Sequence, residues 1–307
     1  MPRVGSSGFL GASALFAVAC AGSAADHVVL GDRAYANRQY TDALVEYRIA
    51  VRQAANPGPS LRARVGAAAL RAGEFVEAAR EYRTLGVEGG SARATEAADG
   101  LERVARAAAA ADDRVALESA LVGLRQIAGG RVLGSLARQL AASVSPETRP
   151  GEAARVLPLA AAGAPDAGSM DSLLFGYGQA LARVGRCADA TGVFEGIVRR
   201  HRLETLVGPA ERELGRCALQ LGRRAMEEAR PQEAEEWFRR AAAGAVQDAI
   251  HRAAYIGLGD VLFSRGDWVG AAEAYQRALA GAAPGDSLAQ VAAQRLNTLG
   301  NAATGVR

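Results

Sequence analysis

The sequence contains no lysine and few aromatic residues, and its 307 residues include only three cysteines and three histidines. Phe, Trp and Tyr make up 5% of the chain, and β-branched runs of strand length are nearly absent. Strands favour branched and aromatic side chains, whereas alanine, which dominates the apolar half here, is the best helix former. The composition therefore predicts an all-α protein. The net charge is +3, and arginines alternate with acidic residues instead of forming a basic stripe, so nucleic-acid binding is not expected.

No pattern typical of a catalytic or metal site is found. His27, His201 and His251 are far apart and have no metal-ligand spacing with each other or with cysteine. There is no glycine-rich phosphate loop in a strand–loop–helix setting and no G-x-S-x-G elbow. The sequence therefore predicts no metal, no cofactor and no enzymatic activity. An enzyme without a recognisable site remains a distant alternative.

The N-terminal segment predicts export from the cytoplasm. Arg3 is followed by an apolar run over 8–19, which is too short to span a bilayer but suits the apolar region of a signal peptide. Cys20 follows directly, so the segment resembles a bacterial lipoprotein signal in which Cys20 would carry the lipid. Ala21 after it favours, by the same resemblance, the periplasmic side of the outer membrane. The alternative is an ordinary signal peptide cut at a nearby small residue, which would leave a soluble periplasmic protein.

A pattern of Gly, Ala and aromatic residues recurs with a period of about 34 residues. Its clear copies are Gly31 with Ala43 and Tyr47, Gly66 with Ala78 and Tyr82, Gly178 with Ala190 and Phe194, Gly222 with Ala234 and Phe238, and Gly259 with Ala271 and Tyr275. Each copy fits two antiparallel helices, A and B. The glycine lets helix B approach helix A, a Gly-Asp or Gly-Glu pair makes the turn, and the aromatic ring fills the space between units.

These residues resemble the tetratricopeptide repeat family. The resemblance implies an all-α solenoid, a superhelix of about seven helical hairpins with a C-terminal capping helix. It also implies that the chain binds proteins, because stacked helices A line a groove that fits a helix or an extended peptide.

The chain divides into five segments on this pattern. They are a signal segment at 1–23, with cleavage before Cys20 or shortly after, repeats 1 and 2 at 24–92, degenerate repeats 3 and 4 at 93–170, repeats 5 to 7 at 171–285, and the capping helix and tail at 286–307. In the degenerate part Leu101, Val104 and Val115 follow a helical period, and Pro158 is expected to kink its helix.

The family resemblance also implies which side chains line the groove. They are Asp32, Tyr35, Arg71, Phe175, Gln179, Arg183, Arg216, Arg223, Asp260 and Phe263. The arginines at the centre predict an acidic segment in the partner protein, since aromatic and arginine residues are the usual anchors of protein contacts. The alternative for each residue is that it only packs between helices.

The two remaining cysteines leave two interpretations open. Cys187 and Cys217 are predicted to lie on adjacent antiparallel helices, opposite each other to within one helical turn, and an oxidising periplasm permits a disulfide. The alternative is that the two cysteines are buried in the core without a bond between them, because free cysteine packs like a small apolar residue.

The predicted function is a periplasmic, outer-membrane-anchored scaffold or adaptor in cell-envelope assembly, which binds a partner segment in its groove. The alternative is a soluble periplasmic module that binds a small ligand or glycan. That alternative requires stacking aromatics in one place, whereas Tyr35, Phe175 and Phe263 are spread along the chain.

Overall fold

The computed structural model describes residues 23–131, 133–243 and 248–304. Within these ranges the chain forms fifteen α-helices and no strand, and each helix packs against the next. The helices are α1 (Ala24–Ala36), α2 (Tyr40–Gln53), α3 (Pro59–Ala72), α4 (Phe75–Glu88), α5 (Gly90–Ala110), α6 (Arg114–Ile127), α7 (Gly134–Ala141), α8 (Pro150–Ala162), α9 (Ala167–Arg183), α10 (Cys187–Arg200), α11 (Glu204–Glu227), α12 (Pro231–Ala242), α13 (Ala249–Ser264), α14 (Trp268–Leu279) and α15 (Ser287–Thr304).

The helices form seven consecutive hairpins followed by a single helix, which confirms the predicted solenoid. Odd-numbered helices up to α13 are the helices A, and even-numbered helices are the helices B. Successive helices A also contact one another, as α3 does with α5, α9 with α11, and α11 with α13. The side of the molecule formed by these helices is called here the helix-A face.

The turns inside the hairpins use one backbone conformation. A residue with positive φ stands between helices A and B in six of the seven hairpins: Arg38, Gly73, Asp112, Gly185, Ala229 and Gly266. Glycine adopts this left-handed conformation without the steric cost that a Cβ brings. The predicted Gly-Glu and Gly-Asp turns are confirmed at Gly73 and Gly266, and Gly185 makes the same turn before Arg186. The other three hairpins use residues that are strained in this conformation.

The core between units is built on an aromatic ring held between two helices A. Phe238 of α12 faces Gly222 of its own helix A and Gly257 of the next, and a Cβ at these glycines would lie 2.7 and 2.5 Å from the ring. Tyr82 is enclosed in the same way by Gly66 and Gly100. Glycine on both sides therefore lets three helices close around one ring, which is 2% exposed in each case.

The third hairpin keeps the helices but lacks the ring. Gly100 lies 34 residues after Gly66, yet the position 16 residues further holds Ala116 instead of an aromatic residue. Leu101 and Val104 are fully buried, as predicted. Val115 was predicted to belong to the apolar stripe of α6, but it is 68% exposed, because the buried stripe begins one residue later at Ala116.

The fourth hairpin is the most irregular. Its first helix, α7, has eight residues, about half the length of the other helices A, and residues 142–149 form the connection to α8. Helix α8 passes through Pro158 without interruption. In the sixth hairpin α11 has 24 residues and is the longest of the described helices.

The last helix closes the C-terminal end of the core. Asp286 accepts hydrogen bonds from the backbone N–H groups of Leu288 and Ala289 and thus caps α15. Arg252 of α13 forms an ion pair with the same carboxylate at 2.8 Å. Ala292 is fully buried beneath the helix, so the predicted capping helix packs on the seventh hairpin.

Candidate functional site

Two pockets open on the helix-A face, one near each end of the solenoid. The N-terminal pocket, of about 330 Å³, is lined by Tyr35, Ala67, Leu70, Arg71, Tyr82, Arg103 and Ala107. The C-terminal pocket, of about 420 Å³, is lined by Arg223, Met226, Glu227, Phe238, Ala253, Ile256, Gly257, Asp260, Leu288 and Val291. Each pocket takes side chains from three successive odd-numbered helices, because these helices lie side by side.

The N-terminal pocket combines aromatic walls with two guanidinium groups. The Arg71 guanidinium lies 5.9 Å from the centre of the Tyr40 ring, and Tyr40 meets Tyr35 edge to face at 5.2 Å. Among the described residues neither Arg71 nor Arg103 forms an ion pair. Burial raises the pKa of Tyr82, although the nearby charge of Arg103 opposes this shift. The pocket therefore offers positive charge beside apolar surface.

The C-terminal pocket has a larger apolar floor and a more balanced charge. Met226, Ile256 and Leu288 form part of the floor, and Arg223 stands exposed at the rim without an acidic partner in the described chain. Glu227 lies at the same rim. Asp260 lines the pocket as well, so two acidic groups stand here against one guanidinium, whereas the lining of the N-terminal pocket has two guanidinium groups and no acid.

Asp32, predicted to line the groove, is engaged within the protein. The Tyr47 hydroxyl donates to Asp32 Oδ1 at 2.7 Å, and Arg64 Nε of the next helix A donates to the same oxygen at 2.8 Å. Partial burial raises the pKa of Asp32, but the hydrogen bonds from Arg64 and Tyr47 outweigh it and the pKa lies below its ordinary value. Burial and the bond to Asp32 in turn raise the pKa of Tyr47.

Asp260 repeats this arrangement at the other end. The Tyr275 hydroxyl donates to Asp260 Oδ1 at 2.8 Å, and Arg295 of α15 pairs with it at 3.0 Å. Where Gln179 and Arg223 hold the equivalent helix-A position, the ring opposite is phenylalanine, which has no hydroxyl to donate. The two aspartates therefore join neighbouring units, and their charges are neutralised by arginines of the same chain.

The remaining predicted groove residues line neither pocket. Phe175 packs edge to face on Phe194 at 5.8 Å, and Phe263 packs in the same way on Trp268 at 5.2 Å. Arg216 is paired with Glu213 on its own helix at 2.7 Å.

Gln179 and Arg183 share α9 with Phe175. Gln179 is half-buried and Arg183 is exposed. The charge of Arg183 contributes to the lowered pKa of Glu147, after the hydrogen bonds from Ser145 and the Glu147 backbone. Helix α9 lies between the helices that line the two pockets.

Arg103 is a pocket residue that the sequence pattern missed. It lies in the degenerate third hairpin, where Ala116 stands at the ring position and no aromatic residue marks the repeat. The signal that could have located it is Gly100, which continues the glycine spacing of Gly31 and Gly66.

The structure joins Cys187 and Cys217 in a disulfide, with their Cα atoms 5.1 Å apart. The bond ties helix B of the fifth hairpin to helix A of the sixth, and both cysteines are at most 3% exposed. The described residues hold no cluster of three or more potential metal ligands. They also contain no helix that combines the length and hydropathy needed to cross a bilayer. Cys20 and the predicted signal segment up to residue 22 lie outside the described residues.

Comparison with known proteins identifies the repeats. A tetratricopeptide repeat family model matches residues 28–85 and 219–287. No curated protein matches the sequence.

Two solved structures are among those that match the chain. The C-terminal part of a TPR repeat-containing protein from Cytophaga hutchinsonii is 13% identical, with a TM-score of 0.35, over 85% of this chain and 97% of that one. The TPR2AB domain of yeast Sti1 in complex with pHSP90 is 13% identical, with a TM-score of 0.29, over 90% of this chain and 98% of that one. The family-model match, with the glycine and aromatic packing described above, identifies residues 28–85 and 219–287 as tetratricopeptide repeats.

Proposed function

We propose that this chain is an exported, membrane-tethered adaptor in cell-envelope assembly that binds an acidic segment of a partner protein on its helix-A face. The repeat family supports the general role, because tetratricopeptide repeats serve as scaffolds for protein–protein interaction. The lipoprotein-like segment ending at Cys20 supports export and tethering.

The charge on the helix-A face is the observation that carries the choice of partner. The acids Asp32 and Asp260 are neutralised by arginines of the neighbouring helices. Arg71, Arg103 and Arg223 have no such partner in the described chain and stand beside apolar surface. An unpaired guanidinium next to an apolar floor suits a segment that alternates carboxylates with apolar side chains. The N-terminal pocket, with two such groups, is the stronger anchor point.

A pull-down from envelope extracts tests this assignment. The double variant Arg71→Glu/Arg103→Glu reverses the charge of the N-terminal pocket, and Arg223→Glu replaces the guanidinium of the C-terminal pocket with a carboxylate. Arg83→Glu on α4 is the matched control, because Arg83 is exposed and lines neither pocket. We expect the pocket variants to lose partners that the control retains. Loss of the same partners in the control, or their full retention in both pocket variants, would contradict the proposed surface.

The tether has its own test. Radiolabelled fatty acid should enter the wild-type chain and be absent from Cys20→Ser. Equal labelling of both chains excludes Cys20 as the attachment point, and no labelling of either indicates an ordinary signal peptide.

A further inference from the structure

The outer side of α1 exposes apolar residues that no described part of the chain covers. Val29 is 58% and Leu30 is 44% exposed, although both lie in the middle of a well-formed helix. Arg33 follows on the same side, since it is four residues from Val29 and three from Leu30. Arg33 is exposed and has no acidic partner among the described residues.

The opposite end of the solenoid differs in this respect. On α15 the exposed positions include Gln290, Gln294 and Asn297, and the exposed apolar residue Val291 (38%) lines the C-terminal pocket. A polar outer face is what a terminal solenoid helix requires to remain soluble. The apolar outer side of α1 is therefore a departure from that rule at one end only, and it indicates a contact at that end.

The position of this side relative to Cys20 identifies the contact. Helix α1 begins at Ala24, and Ser23 fixes its start through a capping box with Asp26. Only Ala21 and Gly22 separate Cys20 from this cap, and three extended residues reach roughly 10 Å. A lipid on Cys20 would thus hold the start of α1 close to the bilayer surface. This step rests on the tether proposed above.

We propose that α1 lies on the surface of an anionic phospholipid bilayer, with Val29 and Leu30 in the interface and Arg33 at the phosphate headgroups. Apolar residues flanked by a basic side chain are typical of helices that bind in the plane of a membrane. Asp26 lies on this side too, three residues before Val29 and four before Leu30, and its carboxylate accepts hydrogen bonds from the backbone N–H and the hydroxyl of Ser23 in the capping box. His27 is turned to Glu46 of α2, with Nδ1 and Oε2 at 2.6 Å, so it belongs to the other side of the helix. Membrane contact would orient the two pockets relative to the bilayer.

Fluorescence quenching in vesicles tests the contact. The full chain carrying Val29→Trp is compared with Val115→Trp, which replaces a valine of similar exposure on α6. Both are expressed with acylation, reconstituted into phosphatidylethanolamine–phosphatidylglycerol vesicles, and measured with and without brominated acyl chains. The wild-type emission from Trp237 and Trp268 is subtracted. We expect the Val29→Trp emission to shift to the blue and to be quenched, and the Val115→Trp emission to do neither.

The outcomes separate this contact from the tether. Fatty-acid labelling with equal quenching of the two tryptophans overturns the contact and leaves the tether standing. No labelling, with no quenching, overturns both. Quenching at Val29→Trp without labelling supports the contact and contradicts the tether. The last outcome is a protein that sediments as a dimer and whose Val29→Trp emission is already shifted to the blue before any vesicle is added. That result assigns the surface to a second copy of the chain and overturns the membrane contact.

Discussion

Reduction of the Cys187–Cys217 disulfide should destabilise the fifth and sixth hairpins by a calculable amount. The bond closes a chain segment with a sequence separation of 30. In the chain-entropy description, opening a loop of that size releases about 12 cal/mol/K in the unfolded state, or about 3.6 kcal/mol at 25 °C. At about 2.1 cal/mol/K of unfolding entropy per residue, a chain of this length would lose about 6 °C in Tm if it unfolds as a whole. A smaller cooperative unit would shift further, because its unfolding entropy is smaller.

Thermal unfolding followed by circular dichroism, with and without a reductant, measures this difference. The double variant Cys187→Ala/Cys217→Ala should melt near the reduced wild type and should not respond to reductant. Thiol titration of the unfolded, unreduced protein should detect neither cysteine. Coincident melting curves with and without reductant, together with two titratable thiols beyond Cys20, would refute the disulfide and restore the interpretation of two small core residues.

The packing and turns give further predictions. Gly222→Ala should cost about 1–3 kcal/mol in urea unfolding, since its Cβ would lie 2.7 Å from the ring beneath it. Gly192→Ala, in open space on α10, should instead stabilise by up to about 1 kcal/mol, and equal signs for the two would contradict the ring packing. Ala229→Gly should raise stability by about 0.5–1 kcal/mol because Ala229 has a φ of 55°; a loss would contradict the strained turn. Tyr47→Phe should cost about 1–2 kcal/mol at pH 7. Because the pKa of Asp32 is lowered in the folded state, the difference in unfolding free energy between the wild type and Tyr47→Phe should have its full size above pH 4 and shrink as acid protonates Asp32. A constant difference down to pH 2 would contradict the hydrogen bond.

The fold follows from the sequence where one local pattern carries the packing. Gly222 and Phe238 are 16 residues apart, and so are the glycine and ring of every clear repeat. This spacing is sufficient to place the ring against its own helix A. The third and fourth hairpins are less predictable, because Ala116 replaces the ring and α7 has only eight residues.

The site is less predictable because its acidic residues are neutralised by ion pairs that form between different repeat units. Position along helix A indicates that Asp32 belongs to the helix-A face, but not that Arg64, 32 residues away, neutralises it. The sequence does hold a partial signal for this arrangement. Tyrosine occupies the ring position where helix A carries Asp32 or Asp260, and phenylalanine occupies it where helix A carries glutamine or arginine.

The central claim is that a partner protein binds on the helix-A face, and site-specific photo-crosslinking tests it most directly. A photoreactive phenylalanine is placed at Leu70 and Val291, which line the two pockets, and at Val76 and Val269, which are exposed and line neither. The account predicts that a partner crosslinks from one or both of the pocket positions and from neither control. A partner that crosslinks from Val76 or Val269 and from neither pocket position would contradict it.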